Sequence, residues 1–135
     1  VSFSVYRKKK GEVMKGLQTI GTSKGKPSLF FYRRIVGGIE IFDEKMEHSQ
    51  YIENKHWNIL LRRLAKKGES FSLSQERGSL YRILKNISDK YTLKWSTWEM
   101  SRIAAILEHE GSIDFYSGVK GPILLVKDCA PIERN

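Results

Sequence analysis

Apolar residues recur along this chain with two different periods, and the change of period divides it. Residues 29–36 (LFFYRRIV) are dense in aromatic and β-branched side chains, Gly37-Gly38 then admits positive φ, and Ile39-Glu40-Ile41-Phe42 resumes an extended pattern. That combination predicts a β-hairpin. Farther on, Trp57, Leu60, Leu61 and Leu64 fall at i, i+3, i+4 and i+7, an apolar stripe on a helix over about 53–67 that Lys66 and Lys67 favour at its C-terminal end and Gly68 can cap. The same spacing returns at Leu80, Ile83, Leu84 and Ile87. Ser96-Thr97-Trp98-Glu99 has the Ser-x-x-Glu form of a capping box and opens a third helix with Met100, Ile103, Ala104 and Leu107 inward, ended by Gly111.

Short extended segments fill the spaces between. Strands are expected within residues 13–20, at 70–73 and 92–95, and at 113–116 and 123–127, the last two joined by a turn holding Gly118, Gly121 and Pro122. The order is strands, helix, strand, helix, strand, helix, strands, which defines an α+β fold: a twisted antiparallel sheet with about three amphipathic helices packed on it. Segments 57–73 and 98–116 are loosely alike, each a Trp-led helix, a glycine and a strand beginning near Ser, so a pseudo-duplicated unit is one expectation.

At 135 residues, 40% hydrophobic and 29% charged, the chain fits one domain with a single core. A lone cysteine, Cys129, rules out an internal disulfide and a multi-cysteine metal site and suits a reducing, intracellular compartment, cytoplasmic or nuclear. No run approaches the roughly 18 apolar residues of a membrane helix, and VSFSVYRKKK orders its apolar and basic parts wrongly for a secretory signal. No membrane partner is expected.

Charge changes the picture more than composition does. Residues 1–34 hold nine basic residues (Arg7, Lys8, Lys9, Lys10, Lys15, Lys24, Lys26, Arg33, Arg34) and one acid, Glu12, whereas the rest holds fifteen against fourteen. A near-neutral body with a basic first quarter, partly flexible over about 1–27, is suited to a polyanion, because Lys and Arg that contact phosphates gain free energy from displaced counterions. Within the first hairpin strand, Leu29, Phe31, Arg33 and Ile35 share one face and Phe30, Tyr32, Arg34 and Val36 the other. Tyr32 and Arg34 side by side can stack a base and neutralise a phosphate, with Lys24 and Lys26 near them. Phe30 and Phe31 individually suit a core. Trp57 and Trp98, each leading an apolar helical repeat, suit core anchors, while Arg62, Arg63, Lys66 and Lys67 occupy the polar side of the first helix and either extend the basic surface or solvate it.

Catalytic chemistry finds little footing. There is no Gly-x-Ser-x-Gly elbow, and Gly21 to Pro27 puts a proline where a phosphate loop needs Ser or Thr. His48, His56 and His109 lack metal-ligand spacing and suit solvated positions, so neither metal nor cofactor is expected. The sharpest enzymatic alternative is a metal-dependent nuclease, since Asp43-Glu44-Lys45 at a strand end has the acid-x-Lys form that holds a divalent ion and orients water. Such a site needs an upstream acid; Glu40 faces away from Asp43 by the period of two, leaving Glu12.

The stretches LFFYRRIVGGIEIF and YIENKHWNILLRRL together, about residues 28–67, resemble the Whirly and positive-cofactor-four type of single-stranded DNA-binding protein: a basic aromatic strand, a glycine turn, an apolar strand and a helix with an early Trp. The resemblance implies a homodimer joined through the helix and one unpaired strand of nucleic acid lying across the sheet. Two further helices and the C-terminal strands depart from that compact pattern. The function expected is therefore binding of single-stranded DNA or RNA without catalysis, at Arg7, Lys8, Lys9, Lys10, Lys15, Lys24, Lys26, Tyr32, Arg33 and Arg34. A structural protein of an RNA-protein particle would show the same basic end and neutral body.

Overall fold

The computed structural model describes the backbone of residues 5–9, 12–19, 27–67, 70–72, 79–118 and 121–126, and the side chains of 14–19, 27–67 and 79–114. Its architecture is α+β. Five strands, β1 (Val5–Lys9), β2 (Glu12–Gln18), β3 (Leu29–Ile35), β4 (Gly38–Phe42) and β5 (Ser49–Glu53), form an antiparallel meander in sequence order. Helix α1 (Asn54–Lys67) follows directly, then β6 (Ser70–Ser72), α2 (Leu80–Lys90), α3 (Thr97–His109), β7 (Ile113–Gly118) and β8 (Gly121–Val126). The last three strands make a second antiparallel sheet in which β8 lies between β6 and β7. The two loosely similar helix-strand segments thus place their strands on opposite edges of β8. Gly68 lies outside the described residues.

The β3–β4 hairpin forms as its pattern predicts, with register Arg33↔Glu40 and Ile35↔Gly38. Its glycines are required for separate reasons. Gly37 takes φ +88°, and at Gly38 a Cβ would sit 2.3 Å from the carbonyl oxygen of Ile52 and 2.8 Å from the Tyr51 ring. Strand β5, which no apolar alternation announces, is recruited by this close approach: Ile52 is its one buried residue, and Ser49, Tyr51 and Glu53 are exposed. Likewise β1 forms in Lys-rich chain because it pairs residue for residue with β2, from Val5↔Gly16 to Lys9↔Glu12. The strand expected at 92–95 is absent. Thr92 and Lys94 take φ of 53° and 60°, a left-handed conformation that no strand accommodates, and the segment is a tight turn between α2 and α3.

One face of the five-stranded sheet carries the helices. Leu17, Phe30, Tyr32, Ile39, Ile41 and Ile52 from the strands pack with Trp57, Leu60 and Leu64 of α1, Leu80, Leu84 and Ile87 of α2, and Met100, Ile103 and Leu107 of α3 in one cluster. These are the stripes the spacing predicts, and Trp57 is the largest fully buried side chain. The opposite face holds a smaller cluster of Met14, Phe31 and Phe42, with Leu29 and Met46 against it. At the head of α3 the capping box forms as expected, Ser96 Oγ accepting from the Trp98 N–H and Glu99 Oε1 from the Ser96 N–H at 2.7 Å. Gly111, at φ +85°, turns the chain after it.

Candidate nucleic-acid interface

Alternation along β3 sends Tyr32 and Arg34 to the helix side, and there they meet the end of α3. Tyr32 is 2% exposed, and its hydroxyl donates to Glu110 Oε2 at 3.0 Å. Arg34 grips the same carboxylate with two hydrogen bonds, Nε to Oε2 at 2.9 Å and a terminal nitrogen to Oε1, while its guanidinium lies 5.7 Å from the Trp57 ring. Beside them Lys15, which pairs with Tyr32 across β2 and β3, places Nζ 3.3 Å from His109 Nε2. Burial, and then the Lys15 ammonium, push the His109 pKa down. The ring is therefore neutral at pH 7. An ammonium can only donate, which makes Nε2 the lone-pair nitrogen and leaves the ring proton on Nδ1. Two cations and a hydroxyl from the sheet thus clasp the C-terminal turn of α3, where the helix dipole favours positive charge.

This geometry corrects the surface expected of Tyr32 and gives the exposed Arg34 a partner within the fold. The stacking face of Tyr32 is inside the core, and the charge of Arg34 is taken by an acid 76 residues away in sequence. Arg33, on the opposite face, is held in the same manner: Nε lies 2.7 Å from Glu40 Oε1, and the guanidinium is 5.7 Å from the Phe42 ring. Lys15 belongs to the clasp. Arg7, Lys8 and Lys9 lie on β1 opposite Met14, Val13 and Glu12, and their side chains fall outside the described residues, as do Lys10, Lys24 and Lys26 altogether.

A different basic surface emerges on the helices. Helix α1 contains no acid, and Lys55, Arg62 and Lys66, at i, i+7 and i+11, share its outer stripe. All three are exposed, as is Lys67, and Arg63 is partly so. Arg62, Arg63, Lys66 and Lys67 make no hydrogen bond or ion pair among the described residues; Lys55 lies 3.9 Å from Glu53. Helix α2, packed against α1, adds exposed Arg82, Lys85 and Lys90, and Lys94 follows in the turn. The one acid in α2 and the turn is Asp89, 3.3 Å from Lys85. Nine basic residues against one acid thus lie on α1, α2 and this turn, the same imbalance as in residues 1–34. Counting charge over the whole body hid it, because the balancing acids sit elsewhere: Asp43, Glu44 and Glu47 between β4 and β5, and Glu99, Glu108 and Glu110 around α3. A count per helix would have found it.

The acid-x-Lys sequence at the end of β4 has a local role. Asp43 Oδ1 accepts from the N–H groups of Glu47 at 2.7 Å and His48 at 3.3 Å, closing the β4–β5 turn. Slight desolvation, which raises its pKa, is outweighed by those bonds and the His48 charge, so the carboxyl titrates below the ordinary aspartate value. Glu40, the nearer upstream acid, is engaged by Arg33. No three His, Cys, Asp or Glu residues are grouped for a metal ion among the described residues. Exposed His48 lines a shallow pocket of about 400 Å³ with Ser49, Gln50, Trp98 and Glu99. His56 departs from the solvated position expected of it; it is buried against Tyr91, ring centroids 5.4 Å apart. Trp98 is only partly buried, with the Arg102 guanidinium 4.4 Å from its ring. No helix among the described residues is long and apolar enough to cross a membrane. No family model, curated protein or solved structure matches this chain.

Proposed function

We propose that the protein binds single-stranded nucleic acid without catalysing its cleavage, and that the phosphates run along the outer face of α1 and α2. The observation that carries this reading is the stripe of Lys55, Arg62 and Lys66 on an acid-free helix, extended by Arg63 and Lys67 and by the cations of α2 and its turn. A solvated helix ordinarily interleaves its cations with acids at i+3 or i+4, which supports the fold and cancels the field. Here a single acid, Glu53 at 3.9 Å from Lys55, stands against a row of cations that spans about 16 Å, the axial rise from residue 55 to residue 66. Such a surface attracts a phosphate chain and releases its counterions. The basic strand β1 contributes Arg7, Lys8 and Lys9 to the same electrostatic attraction at longer range.

Binding of a fluorescent oligothymidylate followed against salt tests the proposal. The wild-type protein is expected to lose affinity steeply as salt rises. Changing Lys55, Arg62 and Lys66 together to Ala should weaken binding by about tenfold or more at physiological salt and reduce the slope of log K against log[salt] by about 2, the share of three single-strand phosphate contacts. Thermal stability should be unchanged, since these side chains pack on nothing that holds the fold. Salt-insensitive binding, or a triple variant that binds as the wild type does, would refute the assignment. Mg²⁺-dependent loss of the labelled strand would replace it with the nuclease.

A further inference from the structure

The geometry points to Tyr91 as the aromatic platform of this basic surface, the residue on which an unpaired base stacks. This inference rests on the nucleic-acid reading above and assigns the stacking that Tyr32 does not supply. Two tyrosines of the described chain are markedly exposed, Tyr51 at 44% and Tyr91 at 37%. Their settings differ. Tyr51 stands on β5 directly opposite Glu40, two residues from Glu53 on the same face, with its ring pressed on the backbone of Gly38. That face carries Glu53 and the closed Arg33–Glu40 pair rather than the cation stripe of α1 and α2.

Tyr91 ends α2 on the basic side. The Lys90 ammonium lies 5.5 Å from its ring centroid, Lys94 is exposed three residues on, and Lys55 neighbours the supporting His56 at the start of the α1 stripe. The acids close by are Glu53, 3.9 Å from both Lys55 and His56, and Asp89, two residues before Tyr91 and 3.3 Å from Lys85. Support from behind comes from His56, tilted 46° against the tyrosine and itself buried. The backbone beneath is tied down: the Tyr91 N–H donates to the Ile87 carbonyl at 3.1 Å, the Leu93 N–H to that of Ser88 at 2.9 Å, and the Trp95 N–H to Ser88 Oγ at 2.8 Å. An aromatic ring held in place before its ligand arrives loses little freedom on binding. Lys90 can then swing from the ring to the phosphate beside the stacked base.

Stacking demands an open base face, so Tyr91 should distinguish single strands from duplex while the α1 stripe should not. Fluorescence anisotropy with a short oligothymidylate, and with a duplex of equal length, compares wild type with Tyr91→Leu, Tyr91→Phe and Tyr51→Leu at one salt concentration. Tyr91→Leu is expected to weaken single-strand binding about tenfold, with the salt slope and duplex affinity kept. Tyr91→Phe and Tyr51→Leu should bind as wild type. Photocrosslinking of a strand carrying 5-iodouridine to the wild-type protein should label Tyr91, a readout independent of how any variant folds. Salt-sensitive wild-type binding with Tyr91→Leu unaffected, equal loss on duplex, or crosslinks only elsewhere would overturn the role of Tyr91 and leave the charged stripe standing. Absence of salt-sensitive binding by the wild type would overturn both.

Discussion

The basic residues at the β2–β3 strands and those on the outer face of α1 are alike in type and differ in what each meets. Arg34 shares a carboxylate with Tyr32, Arg33 is locked to Glu40, and Lys15 abuts His109, so the charge of the strand region is used inside the fold. Arg62 and Lys66 point outward from a helix that carries no acid. A cation becomes a binding residue only when the fold leaves it without an internal acceptor. The strand cations suit clasping because each lies within reach of a partner on the neighbouring strand or at the end of α3. The helix cations suit recruitment because their long stems extend over open solvent.

Removing what both regions share should have the largest effect. Trp57 sits beneath Arg34 and anchors α1 in the core, so Trp57→Ala is expected to destabilise the protein by about 3–5 kcal/mol in urea unfolding. A loss below about 1 kcal/mol would mean that α1 is held by other contacts. Next in size, Glu110→Gln withdraws the charged acceptor from Tyr32 and Arg34 and should cost about 2 kcal/mol, without weakening nucleic-acid binding. If this variant kept full stability, the clasp would be a surface pair of little consequence. If it lost binding, Arg34 would belong to the interface after all.

The smallest effect expected is the pH response of the clasp. Because burial and the Lys15 ammonium hold His109 below its ordinary value of 6.5, the unfolded chain takes up this proton before the folded chain does. Its contribution to stability is complete above that pH and is lost as the pH falls through 6.5 toward the folded-state value. Lys15 on β2, Tyr32 and Arg34 on β3, Glu108 on its own helix and Glu110 just after it are the groups that set this response. Thermal unfolding at pH 7.5 and 5.5 should show a smaller drop for His109→Gln than for the wild type. An equal drop would assign the acid sensitivity to carboxylates such as Asp43.

The amphipathic stripes at Trp57–Leu64, Leu80–Ile87 and Met100–Leu107, the Gly37-Gly38 hairpin and the Ser96-Glu99 capping box were legible in the chain, because each is decided by residues within a few positions of one another. Strands β1 and β5 were not, since neither carries a complete apolar alternation and both exist by pairing with a neighbour. The turn at Thr92–Lys94 overrode its local strand signal because Ser88 captures its backbone from the preceding helix. The same division holds for the candidate site. Sequence by itself determined how many cations there are and which face of a strand or helix each occupies. Which of them remain for a ligand was decided by tertiary structure alone, since the acceptor of Arg34 is 76 residues away and an ion pair depends on distance in space.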